Sequence, residues 1–277
     1  MQLPKTEFTL LSIPEPHILL ITINRVKQYN ALSPAANWEL HHLFNWAEEQ
    51  DDIWCIIIDK LTGAGGKAFC SGMDLVSAHN AHSSEQSDVK GMPPTGFGGL
   101  SNRRMSRKPV IAAVNGFALG GGMEMACSCN MVIATERSQF GFPEVKQSVV
   151  IAAGGLARLA RSVSYQVASE LVLTGRFISA QEAKQHGLVN QIIANDANVV
   201  DAAIGWAKKM TANSPDAVLL TKQGLLLALE RPSMTDATDE WMATPEAEAW
   251  RQGYNLGEGL KAFAEKRKPQ WKNPSKL

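Results

Sequence analysis

The sequence has no surplus of charge: 27 Lys and Arg face 27 Asp and Glu in 277 residues. A chain so balanced lacks the broad electrostatic footprint that binds nucleic acid or an anionic membrane surface. No apolar run reaches the roughly 18 residues of a membrane span. The N-terminal "MQLPKTEFTL" has no basic start followed by an apolar core, so no secretory leader is predicted. The four cysteines, Cys55, Cys70, Cys127 and Cys129, show neither a metal-ligand spacing nor a disulfide framework and are expected to be buried thiols of a soluble protein in a reducing compartment. The six histidines offer no metal-ligand spacing either. Ser71 lacks the G-x-S-x-G context of a nucleophile elbow. "GAGGKA" lacks the leading glycine and the closing Ser or Thr of a phosphate loop.

What the chain does have is β-rich apolar runs separated by helical patterns. "HILLITINRV" (17–26), "IWCIIIDKL" (53–61), "PVIAAVNG" (109–116) and "MVIATE" (131–136) read as buried strands, with "VNQII" (189–193) as a weaker fifth. Ser33 and Pro34 open a helix as N-cap and first-turn proline, and Ser179 with Glu182 forms a capping box. Alternation of strands and helices predicts an α/β fold over 1–196, followed by an α-helical region over 197–277. The stretch 77–107 is rich in Gly, Pro and Ser and is expected to be a long mobile connection beside a site.

"GFALGGGMEM" (116–125) places Gly120, Gly121 and Gly122 where a strand is expected to run into a helix. There, main-chain N–H groups lack partners and a ligand oxygen can meet them with no side chain in the way. The same glycines would also serve tight helix-on-sheet packing. A second junction, "KAFCSGMDL" (67–75), offers the amides of Gly72 and Met73. Glu124 and Glu144, the latter after Pro143 in "FGFPEVKQ", both fall at predicted helix starts. Either alone does no more than complement a helix dipole. Together in one apolar pocket they can divide proton donation from proton removal.

These segments resemble the enoyl-CoA hydratase/isomerase (crotonase) superfamily over nearly the whole chain. The resemblance rests on "INRVKQYNAL" (23–32), "KAFCSGMDL", "KPVIAAVNGFALGGGMEMACSCNMVIATERSQFGFPE" (108–144), "GGLARL" (154–159), "ELVLTGRFISAQEAKQHGLVNQII" (170–193) and "EGLKAFAEKRKPQW" (258–271). It implies a spiral of ββα turns with a helical C-terminal region used in trimerisation, assembled as a homotrimer or a dimer of trimers. The substrate would be an acyl-CoA thioester, with no metal or redox cofactor, coenzyme A being part of the substrate. The oxyanion hole maps onto the N–H groups of Met73 and Gly121. Glu124 maps onto the group that activates water for the β-carbon, and Glu144 onto the one that delivers the α-proton. Substrate contacts map onto Lys27, Ala68, Ser71, Gly72, Asp74, Leu75 and Gly120, with Phe263 and Lys266 reaching in from a neighbouring subunit.

Both glutamates being present favours hydration of 2-enoyl-CoA, in fatty-acid β-oxidation or related acyl-CoA metabolism, over double-bond isomerisation. "GFGGL" (96–100) followed by "KPVIAAVNG" is similar to carnitinyl-CoA-type dehydratases, which keep both acids, and an acyl-CoA-binding subunit without turnover is the alternative of another class. Ser148, Ile151 and Ala152 depart from the Gly and Pro that many hydratases carry there, which bears on the acyl pocket. Finally, Ser275, Lys276 and Leu277 form the tripeptide read by the peroxisomal import receptor, so a peroxisomal location is expected; without that address it would be cytoplasmic.

Overall fold

The computed structural model describes residues 1–60, 67–77, 91–103 and 106–275. Its centre is a six-stranded sheet in the order β1-β2-β3-β5-β7-β10. β1 (Thr9–Glu15) and β2 (Ile18–Ile23) form an antiparallel hairpin. From β2 onward the ladder is parallel, through β3 (Cys55–Lys60), β5 (Val110–Val114), β7 (Met131–Thr135) and β10 (Gln191–Ile193). These five are the strands expected from the apolar runs. Their continuous apolarity has a direct cause, since both faces of the sheet are covered. Ile56 and Ile58 of β3 point into the main core, with Phe44, Phe69 and Phe140. Cys55 and Ile57 point the other way, into a second cluster closed by Val199, Ala203 and Ala207 of α6 (Val199–Thr211). The C-terminal region therefore shares a core with the first sheet. Small residues four apart on α6 let that helix lie close against the strands.

The second sheet, β4-β6-β8-β9, is built of three-residue strands: β4 (Ala68–Cys70), β6 (Phe117–Leu119), β8 (Gln139–Gly141) and β9 (Phe177–Ser179). The apolar-run reading finds none of them, nor β1. β4, β6 and β8 run parallel, with Phe117 beside Ala68 and Gln139. Each strand of the large sheet from β3 to β7 is thus followed by one in the small sheet, the repeating turn of a spiral.

The helices follow their caps. α1 (Pro34–Glu49) opens on Ser33, whose hydroxyl accepts the Ala36 N–H at 3.3 Å. α2 (Gly121–Ser128), α3 (Gly155–Ser162) and α4 (Tyr165–Thr174) lie between the strands. α5 (Ala180–Gln185) is capped by Ser179, which accepts the Glu182 N–H at 3.1 Å. The reciprocal half of that expected capping box is replaced, because the Glu182 carboxylate pairs with Arg176. After α6 come α7 (Pro215–Glu230), α8 (Met234–Met242), α9 (Pro245–Gln252) and α10 (Tyr254–Ala264). Among the described residues no helix is long and apolar enough to cross a membrane.

Two expectations need amending. The strand "PVIAAVNG" does not run straight into the glycine-rich helix, because β6 intervenes and carries the chain into the small sheet first. The 77–107 stretch is not a mobile connection throughout: Gly96 to Ser101 are buried and packed, around a 3-10 turn at Phe97–Gly99. The "GAGG" turn (63–66), most of the first half of that stretch, and Lys276 and Leu277 lie outside the described residues.

Candidate active site

Three neighbouring parallel strands of the small sheet end on one cleft. β4 ends at Cys70 and delivers Ser71, Gly72 and Met73; β6 ends at Leu119 and delivers Gly120, Gly121 and Glu124; β8 ends at Gly141 and delivers Pro143 and Glu144. Loops at the C-terminal ends of parallel strands are where open α/β folds gather ligands. The Gly120 N–H donates to the Gly141 carbonyl at 2.9 Å, tying the second and third exits together. The cleft holds about 350 Å³.

Two glycines make the exits possible. Gly72 sits at φ +100°, and Gly120 at φ +54° with ψ −124°, conformations that L side chains avoid. A methyl carbon placed on Gly72 would lie 3.4 Å from the Gly121 nitrogen, so the two junctions are in contact. Gly121 has its own reason to be bare: a methyl there would lie 2.6 Å from the Phe97 ring. Among the described residues, the N–H groups of Met73 and Gly121 find no backbone acceptor. Met73 sits in a parallel bridge with Leu32 in which Gly72 and Asp74 make the hydrogen bonds, and Gly121 is the first residue of α2.

Glu124, on the first turn of α2, is 4% exposed, and its Oε1 accepts the Gly155 N–H at 2.8 Å. Burial raises its carboxyl above the ordinary range, against the pull of the Gly155 and Ala153 N–H groups, which favour the charged form. Glu144, second in the 3-10 turn Pro143–Gln147, is also raised, first by burial and then by the Glu124 charge, with its own N–H opposing. Its Oε2 is buried with no partner among the described residues. The two carboxyls share a cleft also walled by Leu75, Met92, Phe97, Val149 and Val150, and the Glu124 charge adds to the burial that raises Glu144.

The structure brings Ser71, Gly72, Met73, Leu75, Gly120, Gly121, Glu124 and Glu144 to this cleft. It places the other sequence candidates elsewhere. Lys27 is exposed on the 3-10 turn Val26–Gln28. Ala68 is buried in β4, its carbonyl accepting from Asn30 Nδ2 at 2.9 Å. Asp74 pairs with Arg25 at 3.1 Å; burial alone would raise its carboxyl, but the Ser77 bonds and Arg25 outweigh that and lower it. This pair braces the segment that carries Met73. Phe263 is 88% exposed on α10 and Lys266 lies just beyond it, also exposed. Among the described residues no group of three His, Cys, Asp or Glu could hold a metal ion.

Residue-by-residue reading missed the donors of Ala153 and Gly155 to Glu124, and the Phe97 wall. Their signals were the "GFGGL" and "GGLARL" glycines, where close approach of main chain or ring leaves no room for a Cβ.

Residues 15–274 match the family model described as enoyl-CoA hydratase/isomerase. A mevalonyl-coenzyme A hydratase of Beauveria bassiana is 43% identical over 100% of this chain and 98% of its own. One from Aspergillus fumigatus is 40% identical, over 99% and 98%. A short-chain-enoyl-CoA hydratase of Clostridium acetobutylicum is 36% identical, over 92% and 94%. The crystal structure of an enoyl-CoA hydratase from Mycobacterium tuberculosis superposes with a TM-score of 0.82 at 34% identity, covering 96% of this chain and 99% of that one. With the two amide donors and the paired glutamates converging on one cleft, these likenesses leave one assignment: the chain belongs to the enoyl-CoA hydratase/isomerase family.

Proposed function

We infer that the protein is a hydratase that adds water across the 2,3 double bond of an enoyl-CoA thioester, giving the 3-hydroxyacyl-CoA. The observation that carries this reading is the cleft in which two main-chain N–H groups without a backbone acceptor among the described residues lie with the buried Glu124 and the half-buried Glu144. The N–H groups of Met73 and Gly121 bind the thioester oxygen and stabilise the enolate-like charge that develops on it; one such donor contributes roughly 3 kcal/mol to the transition state. Glu124, whose carboxylate is aimed by the Gly155 and Ala153 N–H groups, orients water and takes its proton as the oxygen bonds to the β-carbon. Glu144, its carboxyl raised by burial and by the Glu124 charge, serves as the acid that gives a proton to the α-carbon. Its buried Oε2, unpartnered among the described residues, suits a group whose partner is the substrate.

The substrate we propose is a short, branched acyl-CoA of the mevalonyl type, supported by the mevalonyl-coenzyme A hydratases that match over the whole chain. Assembly as a trimer or dimer of trimers, with Phe263 and Lys266 serving a neighbouring site, and peroxisomal import through Ser275, Lys276 and Leu277, belong to the same proposal. The 88% exposure of Phe263 is consistent with the first, and a monomer in sedimentation refutes it.

The test is a panel of crotonyl-CoA, longer straight-chain 2-enoyl-CoA esters and the dehydration product of mevalonyl-CoA, followed by loss of the conjugated thioester absorbance and product identification. Glu124→Gln and Glu144→Gln should each lower kcat by about 100-fold or more with smaller changes in KM. No loss of absorbance with any ester discards hydration. Full activity in either variant discards the role given to that residue.

A further inference from the structure

The loop that orients Glu124 is tied to α3 by the Arg158 N–H on the Gly154 carbonyl at 3.3 Å and packs Ile151 and Ala153 against the core. Ala152 to Gly154 belong to neither sheet nor helix, and Gly154 stands at φ +112°. One hydroxyl fastens the loop from behind. Ser101, 1% exposed, accepts the Phe97 N–H at 2.7 Å and donates its own proton to the Ala153 carbonyl. Among the described residues it is the only donor to that carbonyl. The Ser101 carbonyl is fixed in turn by Arg158 Nε at 2.9 Å. Ser101 thus joins the two walls of the cleft, the Phe97 ring packed on Gly121 and the Ala153–Gly155 donors to the Glu124 carboxylate.

We propose that Ser101 is a positioning residue for water activation, setting the orientation of Glu124 through the Ala153 carbonyl. This rests on the reading of Glu124 as the group that activates water. Without the hydroxyl, the buried Phe97 N–H and the part-buried Ala153 carbonyl lose this partner, and the loop moves to satisfy them. The N–H donors then draw away from Glu124. The carboxylate loses alignment, for which a displacement near 1 Å typically costs about 100-fold in rate. It also loses bonds that favour its charged form. The titratable groups around it are Glu144 across the cleft and Cys127 on α2, while α3 supplies Arg158, which faces Cys127.

The experiment measures kcat and the pH dependence of kcat/KM for Ser101→Ala, Ser101→Cys, Glu124→Gln and Ser101→Ala combined with Glu124→Gln. Ser101→Ala should lower kcat by about 10- to 100-fold and move the acid limb to higher pH. Ser101→Cys keeps a weaker donor of similar size and should fall between it and the parent; it carries the test if Ser101→Ala does not fold. On the Glu124→Gln background Ser101→Ala should cost almost nothing further, because the carboxylate it positions is gone. An acid limb unmoved in both serine variants, or an equal loss with and without Glu124, overturns the proposal. If Glu124→Gln itself turns over normally, the reading of Glu124 falls first; if Glu124→Gln is crippled while the serine variants match the parent, only the role of Ser101 falls.

Discussion

Gly120→Ala tests the geometry of the site at its tightest point. Two separate effects act there. The backbone at φ +54° and ψ −124° is one an alanine adopts only under strain, at a cost of about 1–3 kcal/mol. The new methyl would also stand 2.9 Å from Glu144 Oε1. The helix start cannot yield to it, because Gly121 is already pressed on Phe97; the carboxylate is the group that moves. Gly187→Ala supplies the control, for Gly187 has φ +78° at the end of α5 but nothing within 4 Å of an added methyl. Both variants should lose melting temperature, at roughly 2–4 °C per kcal/mol in a chain of this size. Only Gly120→Ala should lose turnover, by about 10- to 100-fold, since it displaces the proton donor. Differential scanning calorimetry and the absorbance assay on both variants give the comparison. If Gly120→Ala retains the kcat of Gly187→Ala, Glu144 is not the group at the reacting carbon.

Two further outcomes are expected. Burial raises the Asp59 carboxyl from 3.8 to about 7, against the Thr22 hydrogen bond; the folded state therefore keeps a proton that the unfolded chain releases, and stability falls as pH rises through that window. Asp59→Asn should raise stability at pH 8 by on the order of 4 kcal/mol and change it little below pH 4, read by denaturant unfolding, and a pH-independent difference would refute the assignment. Deleting Leu277 should leave a fluorescently tagged protein cytosolic, whereas unchanged punctate import would remove the address reading.

The central strands of the large sheet were legible because they are buried on both faces: a run such as Ile56, Ile57 and Ile58 fills one core with alternate side chains and a second core with the rest, whereas the largely exposed β1 left no such run. The small sheet was not, because Ala68–Cys70, Phe117–Leu119 and Gln139–Gly141 are too short to show a period, and their pairing is set by the register of the spiral rather than by local pattern. Yet those unreadable strands deliver the candidate site, whose residues were nonetheless readable. The reason is that a junction where backbone must approach a ligand leaves its mark as glycine, whatever element precedes it. Gly72, Gly120 and Gly121 recorded the close approach. Apart from the family resemblance, Glu124 and Glu144 were visible as carboxylates at predicted helix starts, and nothing local distinguishes such a residue from a surface one. Their burial comes from contacts far away in sequence: Gly155 reaches back to Glu124, and Gly120 lies under Glu144. A carboxylate whose neighbours are all distant keeps its altered acidity only while the loops that bring them stay put. Ser101, which lies outside the cleft and fastens the Ala153 carbonyl from behind, is therefore where a sequence change away from the cleft should alter the chemistry most.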